Sequence, residues 1–272
     1  MLSVILDKNA LQGCGSEDDL TALSRKYRIV LPYALIQEIV TEDPSKRAAP
    51  HWSSYFRKLK GLRFVVTRNL DLVLKEEERT CLPVSGVDDH RLTRWLREML
   101  GVPFENWQDP RLLARQEYLA VSKEPVDYRR RRIASIARRR FPQAAAVIAK
   151  AASDKHSLAR AWRAETEPVA YKEWKEHFPL LPRLATRKSF CFMALWLGNY
   201  ADLRRGADGV GSCRDAKDEI LLNEAADTDY LLNLIVKDGI ISGDGRLRDT
   251  AEAFFSGRKV WKDIRQALAC AG

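Results

Sequence analysis

Residues 227–244 read D-T-D-Y-L-L-N-L-I-V-K-D-G-I-I-S-G-D, and the fold of this stretch decides the architecture of the chain. Tyr230, Leu231 and Leu234 recur at helical spacing. Gly239-Ile-Ile-Ser242 is a short apolar run of the kind that forms a buried strand. The pattern predicts a helix over Lys217–Val236, broken near Asn223, then the strand, then a second helix over Arg246–Phe255. Lys259-Val260 reads as a last short strand and Trp261–Ala269 as a closing helix. Helices alternating with short apolar strands are one half of an α/β unit.

The other half stands at the opposite end of the sequence. Leu2–Leu6 is an apolar run ending at Asp7, and Ser16-Glu-Asp-Asp19 has the cap and acidic first turn of a helix. Leu20, Leu23 and Tyr27 continue that helix, Arg28–Leu31 is a second strand, and Pro32 opens a helix through Ile36, Glu38 and Ile39. Between the two ends the reading is mainly helical and strongly basic. Trp52, Tyr55, Phe56 and Leu59 share one helical face, and Leu92, Trp95, Leu96 and Met99 share another. Leu62–Thr67 is the one convincing strand there, and prolines from Pro103 to Pro182 punctuate the remainder. The expected organisation is an α/β core from residues 1–44 and 216–272, split by a mainly helical, basic insertion over 45–215, part of whose 62–67 stretch can join the core sheet.

The 272 residues are 46% hydrophobic and 31% charged, which excludes a disordered chain and leaves room for a sizeable core. Forty-six Lys and Arg against 37 Asp and Glu give a net charge of +9, a balance suited to a polyanionic partner, with nucleic acid ahead of an anionic membrane. No apolar run reaches the roughly 18 residues of a membrane span. The start of the chain lacks the features of a signal peptide. Five scattered cysteines and four histidines show neither disulfide nor zinc spacing. The expectation is a cytoplasmic protein with no membrane partner.

The chemistry lies in carboxylates. Asp7 ends the first strand in L-D-x-N-x-L, Glu38 lies in the helix after the second, Asp227 and Asp229 open a helix, and Asp244 follows the strand 240–241. In an open parallel sheet, groups just past the carboxyl ends of the strands converge on one crevice. Carboxylates gathered there resist joint ionisation. A hard divalent cation, Mg²⁺ or Mn²⁺, with oxygen ligands relieves that repulsion and activates water for attack on a phosphoryl group. Asp227 has the better helical register for this role, with Asp229 as ligand or neighbour.

The order of these motifs resembles the PIN-domain nuclease family: strand-Asp-x-Asn-x-Leu, a helical Glu, a helix opening with Asp, then strand-Ser-x-Asp. The likeness covers roughly residues 1–43 and 217–270. It implies a three-layer α/β/α fold around a parallel sheet and Mg²⁺- or Mn²⁺-dependent cleavage of RNA, in toxin-type proteins or RNA turnover, where a protein inhibitor or a homo-oligomer would be in keeping. It implies a site of Asp7, Glu38, Asp227 (or Asp229) and Asp244, supported by Asn9 and Ser242. The size of the insertion departs from the compact family core.

Each acidic residue alone has an ordinary explanation: a lone Asp at a strand end is usually a cap or turn former, Glu38 a solvated helix residue, and S-G-D-G a generic turn. The nuclease reading rests on all of them together. Arg129, Arg130, Arg131, Arg132, Arg138, Arg139 and Arg140 form the densest basic run, read as a phosphate-contacting surface against the alternative of a solvated, salt-bridged helix. The tryptophans read as core. Two further functions stay open: a structure-specific DNA nuclease using the same carboxylates, and a non-catalytic nucleic-acid-binding protein on a degenerate core.

Overall fold

A computed structural model describes residues 1–14, 16–41, 52–80, 86–102, 227, 229–255 and 257–270. The basic clusters at 129–132 and 138–140, and the helix expected over 217–226, lie outside these residues.

The described chain is built on one all-parallel sheet of five strands: β1 (Ser3–Leu6), β2 (Arg28–Leu31), β3 (Phe64–Val66), β4 (Gly239–Ile241) and β5 (Lys259–Trp261). Their order across the sheet is β3-β2-β1-β4-β5. The chain thus winds outward from β1 to β3, then returns to the other side of β1 and winds outward again. Register is set by pairs such as Ile5 with Val30 on one side and Ile5 with Ile240 on the other. Val4, Ile5, Leu6, Ile29, Val30, Leu31, Val66, Ile240 and Ile241 are all buried on consecutive positions. Both faces of the central strands are therefore covered, which is why they read as continuous apolar runs.

Eight helices with defined bounds surround the sheet among the described residues: α1 (Lys8–Gln12), α2 (Glu17–Lys26), α3 (Tyr33–Thr41), α4 (Trp52–Arg57), α5 (Leu70–Thr80), α6 (His90–Gly101), α7 (Gly245–Phe254) and α8 (Ile264–Ala269). A further helical turn occupies 229–233. Side-chain caps start five of the eight. Asp7, Ser16, Asp89, Asp244 and Asp263 each accept a hydrogen bond from a backbone N–H of the first turn, at about 1 kcal/mol apiece. The cap at Asp263 corrects the expected start of the closing helix. Trp261 completes β5 instead, where its side chain packs at 65° to the ring of Tyr27.

The expected strand at 62–67 joins the sheet beside β2. Its neighbours join the same core, since Tyr55, Phe56, Leu59, Val73, Leu92 and Leu96 pack in one cluster with the residues of β1, β2 and β4. The described core thus reaches Leu100, well beyond the expected limit at residue 44. Lys58 ties this part to the first helix, donating to the carbonyls of Leu11, Gln12 and Cys14 at 3.0, 2.9 and 3.2 Å. That ammonium satisfies the acceptors left at the C-terminus of α1. No helix among the described residues is long and apolar enough to cross a membrane.

Candidate acidic site at the carboxyl edge

The strand order reverses between β1 and β4, and a crevice opens outside the carboxyl ends of strands at such a point. Asp7 follows β1 there and Asp244 lies just beyond β4. Two residues from distant parts of the chain therefore meet because their strands are neighbours. Asp7 N–H donates to the Ile241 carbonyl at 3.2 Å and locks the two strand ends together.

Ser242 joins the two carboxylates. Its hydroxyl donates to Asp7 Oδ2 and accepts the backbone N–H of Asp244 at 3.0 Å. The serine is fully buried. Gly243 makes the approach close: a Cβ there would lie 3.1 Å from the Asn9 Cβ, so the turn after β4 sits against the first turn of α1. Asn9 itself faces solvent at the rim.

Asp7 is only 3% exposed. Its Oδ1 caps α1, accepting the Ala10 N–H at 2.6 Å. Burial raises its pKa from 3.8 to about 6; the hydrogen bonds from Ser242 and Ala10 oppose that rise, and the charges of Glu38 and Asp244 add to it. An exposed capping aspartate feels neither the burial nor the like charges. Asp244 is half-buried and caps α7 through Oδ1, which accepts from Arg246 at 2.6 Å and Leu247 at 3.1 Å. Its Oδ2 accepts no hydrogen bond from the described residues.

Glu38 comes from α3, the helix after β2, and its Oε2 accepts the Tyr230 hydroxyl at 2.6 Å. Tyr230 is 2% exposed. Burial, then the adjacent Glu38, push its phenol well above the ordinary value, with Asp7 and Asp227 adding to the effect. The phenol is therefore a fixed donor at any ordinary pH. Asp227 is thus near enough to Tyr230 for its charge to be felt there. Asp229 is buried in the same turn, and its carbonyl accepts from the Asn233 amide at 2.7 Å.

Asp7, Glu38, Asp227 and Asp244 thus share one neighbourhood. Among the described residues, no three carboxylate, imidazole or thiol groups are drawn in to coordinating distance of a common point. The donor set is all oxygen, and Asp7 and Asp244 each commit one oxygen to a helix cap. Sequence reasoning placed Tyr230 only as a buried residue, and its bond to Glu38 spans 192 positions. A tyrosine beside two aspartates in an otherwise apolar helix was the available signal.

Comparison of the chain with protein-family models, with curated proteins and with solved structures finds no match.

Proposed function

We propose that the chain is a metal-dependent nuclease that hydrolyses phosphodiester bonds, RNA ahead of DNA, on a PIN-like α/β/α core interrupted by a basic helical segment. The observation that carries this reading is the state of Asp7. A carboxylate held away from water at a topological switch point, beside two others and with its pKa raised to about 6, is an arrangement that costs stability. A hard cation offsets that cost, and the all-oxygen donor set suits Mg²⁺ or Mn²⁺ rather than a softer metal.

In this reading Asp7 and Asp244 hold the cation, with Glu38 and Asp227 binding it directly or through water. Once bound, it supplies charge for the phosphoryl oxygens and a more acidic water. The protein's own groups do the positioning. Ser242 fixes the rotamer of Asp7 and draws Asp244 towards it. Tyr230 orients Glu38 by holding its Oε2. Asp227, whose charge is felt at Tyr230, and the buried Asp229 are both candidates from the helical turn. The arginines at 129–132 and 138–140 would guide the phosphate backbone, a role suited to the overall charge of +9.

The test is cleavage of matched single-stranded RNA and DNA in Mg²⁺, in Mn²⁺ and in EDTA. Chelation should abolish cutting, and Asp7→Asn or Asp244→Asn should abolish it while RNA binding persists. Undiminished cleavage in EDTA would overturn the mechanism. Equal cutting of both nucleic acids would remove the RNA preference. Binding without cleavage under any metal would leave a nucleic-acid-binding protein.

A further inference from the structure

The opposite edge of the sheet carries a second polar feature, independent of the acidic crevice. A cavity of about 740 Å³ opens at the amino ends of β2 and β3. It has the volume typical of a small-molecule site, about 300–1,000 Å³. Four arginines line it: Arg25 from the last turn of α2, Arg28 at the start of β2, Arg63 just before β3, and Arg97 from α6. None of the described lining residues is acidic. Met1 supplies exposed apolar lining over a nearly buried floor of Tyr27, Phe64 and Val65, and Thr21 and Ser24 supply hydroxyls.

The four guanidinium groups fall into two pairs. Arg97 and Arg28 are tethered. The first donates to the Phe64 carbonyl at 2.6 Å and lies 5.4 Å above the Phe64 ring. The second pairs with Asp88 at 2.8 Å. Arg25 and Arg63 project with no ion pair or hydrogen bond to any described residue and are exposed. Gly61, at φ +77°, makes the left-handed turn that leads into Arg63. Like charges brought around one concavity repel; Asp88 offsets Arg28, and among the described residues no carboxylate pairs with Arg25 or Arg63.

Fixed arginine forks match the planar, bidentate demands of phosphate groups. Three to four positive charges beside an apolar wall match a ligand that is highly anionic at one end and flat and apolar at the other. We propose that this cavity binds a nucleoside di- or triphosphate, with its phosphates on Arg25, Arg28, Arg63 and Arg97 and its base against the apolar lining. A dicarboxylate would leave the charge half-matched, and inorganic phosphate would leave the apolar wall and most of the volume unused.

The test uses the full chain in EDTA, so that no divalent cation can bridge a ligand to the acidic edge. ADP, adenosine, inorganic pyrophosphate and a ten-nucleotide single-stranded RNA are titrated calorimetrically. ADP should bind saturably in the micromolar range, pyrophosphate more weakly and adenosine at least tenfold more weakly. The double variant R25A/R63A should weaken ADP at least tenfold, and since neither side chain has a partner among the described residues the fold should tolerate their loss. Far-ultraviolet circular dichroism and the unfolding midpoint check that tolerance. K259A/K262A removes the same charge at β5, three strands from β2, and should leave ADP affinity within twofold, as should D7N.

Absence of ADP binding up to millimolar concentration would overturn the proposal, as would adenosine binding as tightly as ADP. So would an equal loss in the two double variants, which would mark nonspecific attraction. Binding of the RNA, but not of ADP, in a manner lost in R25A/R63A would replace the nucleotide pocket with a strand path. None of these outcomes depends on cleavage, so failure here leaves the reading of the acidic edge standing.

Discussion

Replacing Asp7 by Asn should make the metal-free protein more stable at neutral pH while removing activity. The sign follows from the raised pKa, about 6 in the folded protein against 3.8 ordinarily. Below pH 3.8 the side chain is protonated in both folded and unfolded states, and its ionisation contributes nothing. Between pH 3.8 and 6 the unfolded chain releases the proton first, so folding stability falls as pH rises. Above pH 6 the penalty is fully developed. At about 1.4 kcal/mol per pH unit, the rise corresponds to roughly 3 kcal/mol. Asn mimics the neutral acid at every pH: its carbonyl can still cap Ala10, and its amide can donate to Ser242 Oγ. Wild type and Asp7→Asn should therefore match near pH 3.5 and diverge to roughly 3 kcal/mol by pH 7.5, or about 6–12 °C in Tm for a domain of this size. Urea unfolding in EDTA across this pH range reads the difference, and millimolar Mg²⁺ at pH 7.5 should stabilise wild type only. A difference that stays flat with pH, or a variant less stable than wild type at pH 7.5, would refute the placement of Asp7 as a buried, ionised group.

Ser242→Ala removes a hydrogen bond that favours the ionised carboxylate, so the pKa of Asp7 should rise further and any acidic limb of the cleavage profile should move to higher pH. If that limb stayed in place, Ser242 would be only structural. Tyr230→Phe deletes the donor to Glu38 at a cost of about 1 kcal/mol in folding. It should also lower Mg²⁺ affinity or cleavage by roughly 10–100-fold, as is usual when a partner of a metal-site residue is removed. Unchanged Mg²⁺ affinity and unchanged cleavage would take Glu38 out of the site. Gly239→Ala tests the sheet, because a Cβ there would lie 2.7 Å from the Lys259 carbonyl oxygen and 2.8 Å from the Trp261 ring. Strand β5 must shift to admit it, at about 1–3 kcal/mol, and a neutral effect on urea unfolding would contradict the pairing of β4 with β5.

Local chemistry was legible in the sequence wherever one residue settles a choice. The stretch Arg28–Leu31 forms its strand with the expected ends, and Ser16 caps α2 through the Asp19 N–H at 3.2 Å. The end of β5 was misread because Trp261 suits either a strand or a helix, and only its partner across the sheet, Ile241, decides. Strand order was out of reach for the same reason. Nothing in L-S-V-I-L or G-I-I-S states that the two runs lie side by side, since parallel pairing is made of backbone hydrogen bonds between segments over 230 residues apart. Residues 52–102, the 62–67 stretch apart, read as separate from the core because their helices are basic outside. Their apolar faces, led by Phe56, Leu92 and Leu96, were visible, but the surface those faces cover was not.

The caps at Asp7 and Asp244 bear on how a cluster of carboxylates can persist before any cation arrives. An aspartate that caps a helix points one oxygen at backbone N–H groups and at the positive end of the helix dipole, worth about 0.3–1 kcal/mol near the surface. At Asp7 that oxygen faces Ala10, and at Asp244 it faces Arg246 and Leu247. Each helix start thus fixes the rotamer of its carboxylate and part-neutralises it through one oxygen. Ser242 then bridges the two from between, holding the Asp7 Oδ2 and the Asp244 N–H. Capping and cation binding are therefore not rival explanations of these residues. In the proposed site the caps let two acids stand side by side, and the pKa of about 6 at Asp7 reflects burial first and the charges of Glu38 and Asp244 after it.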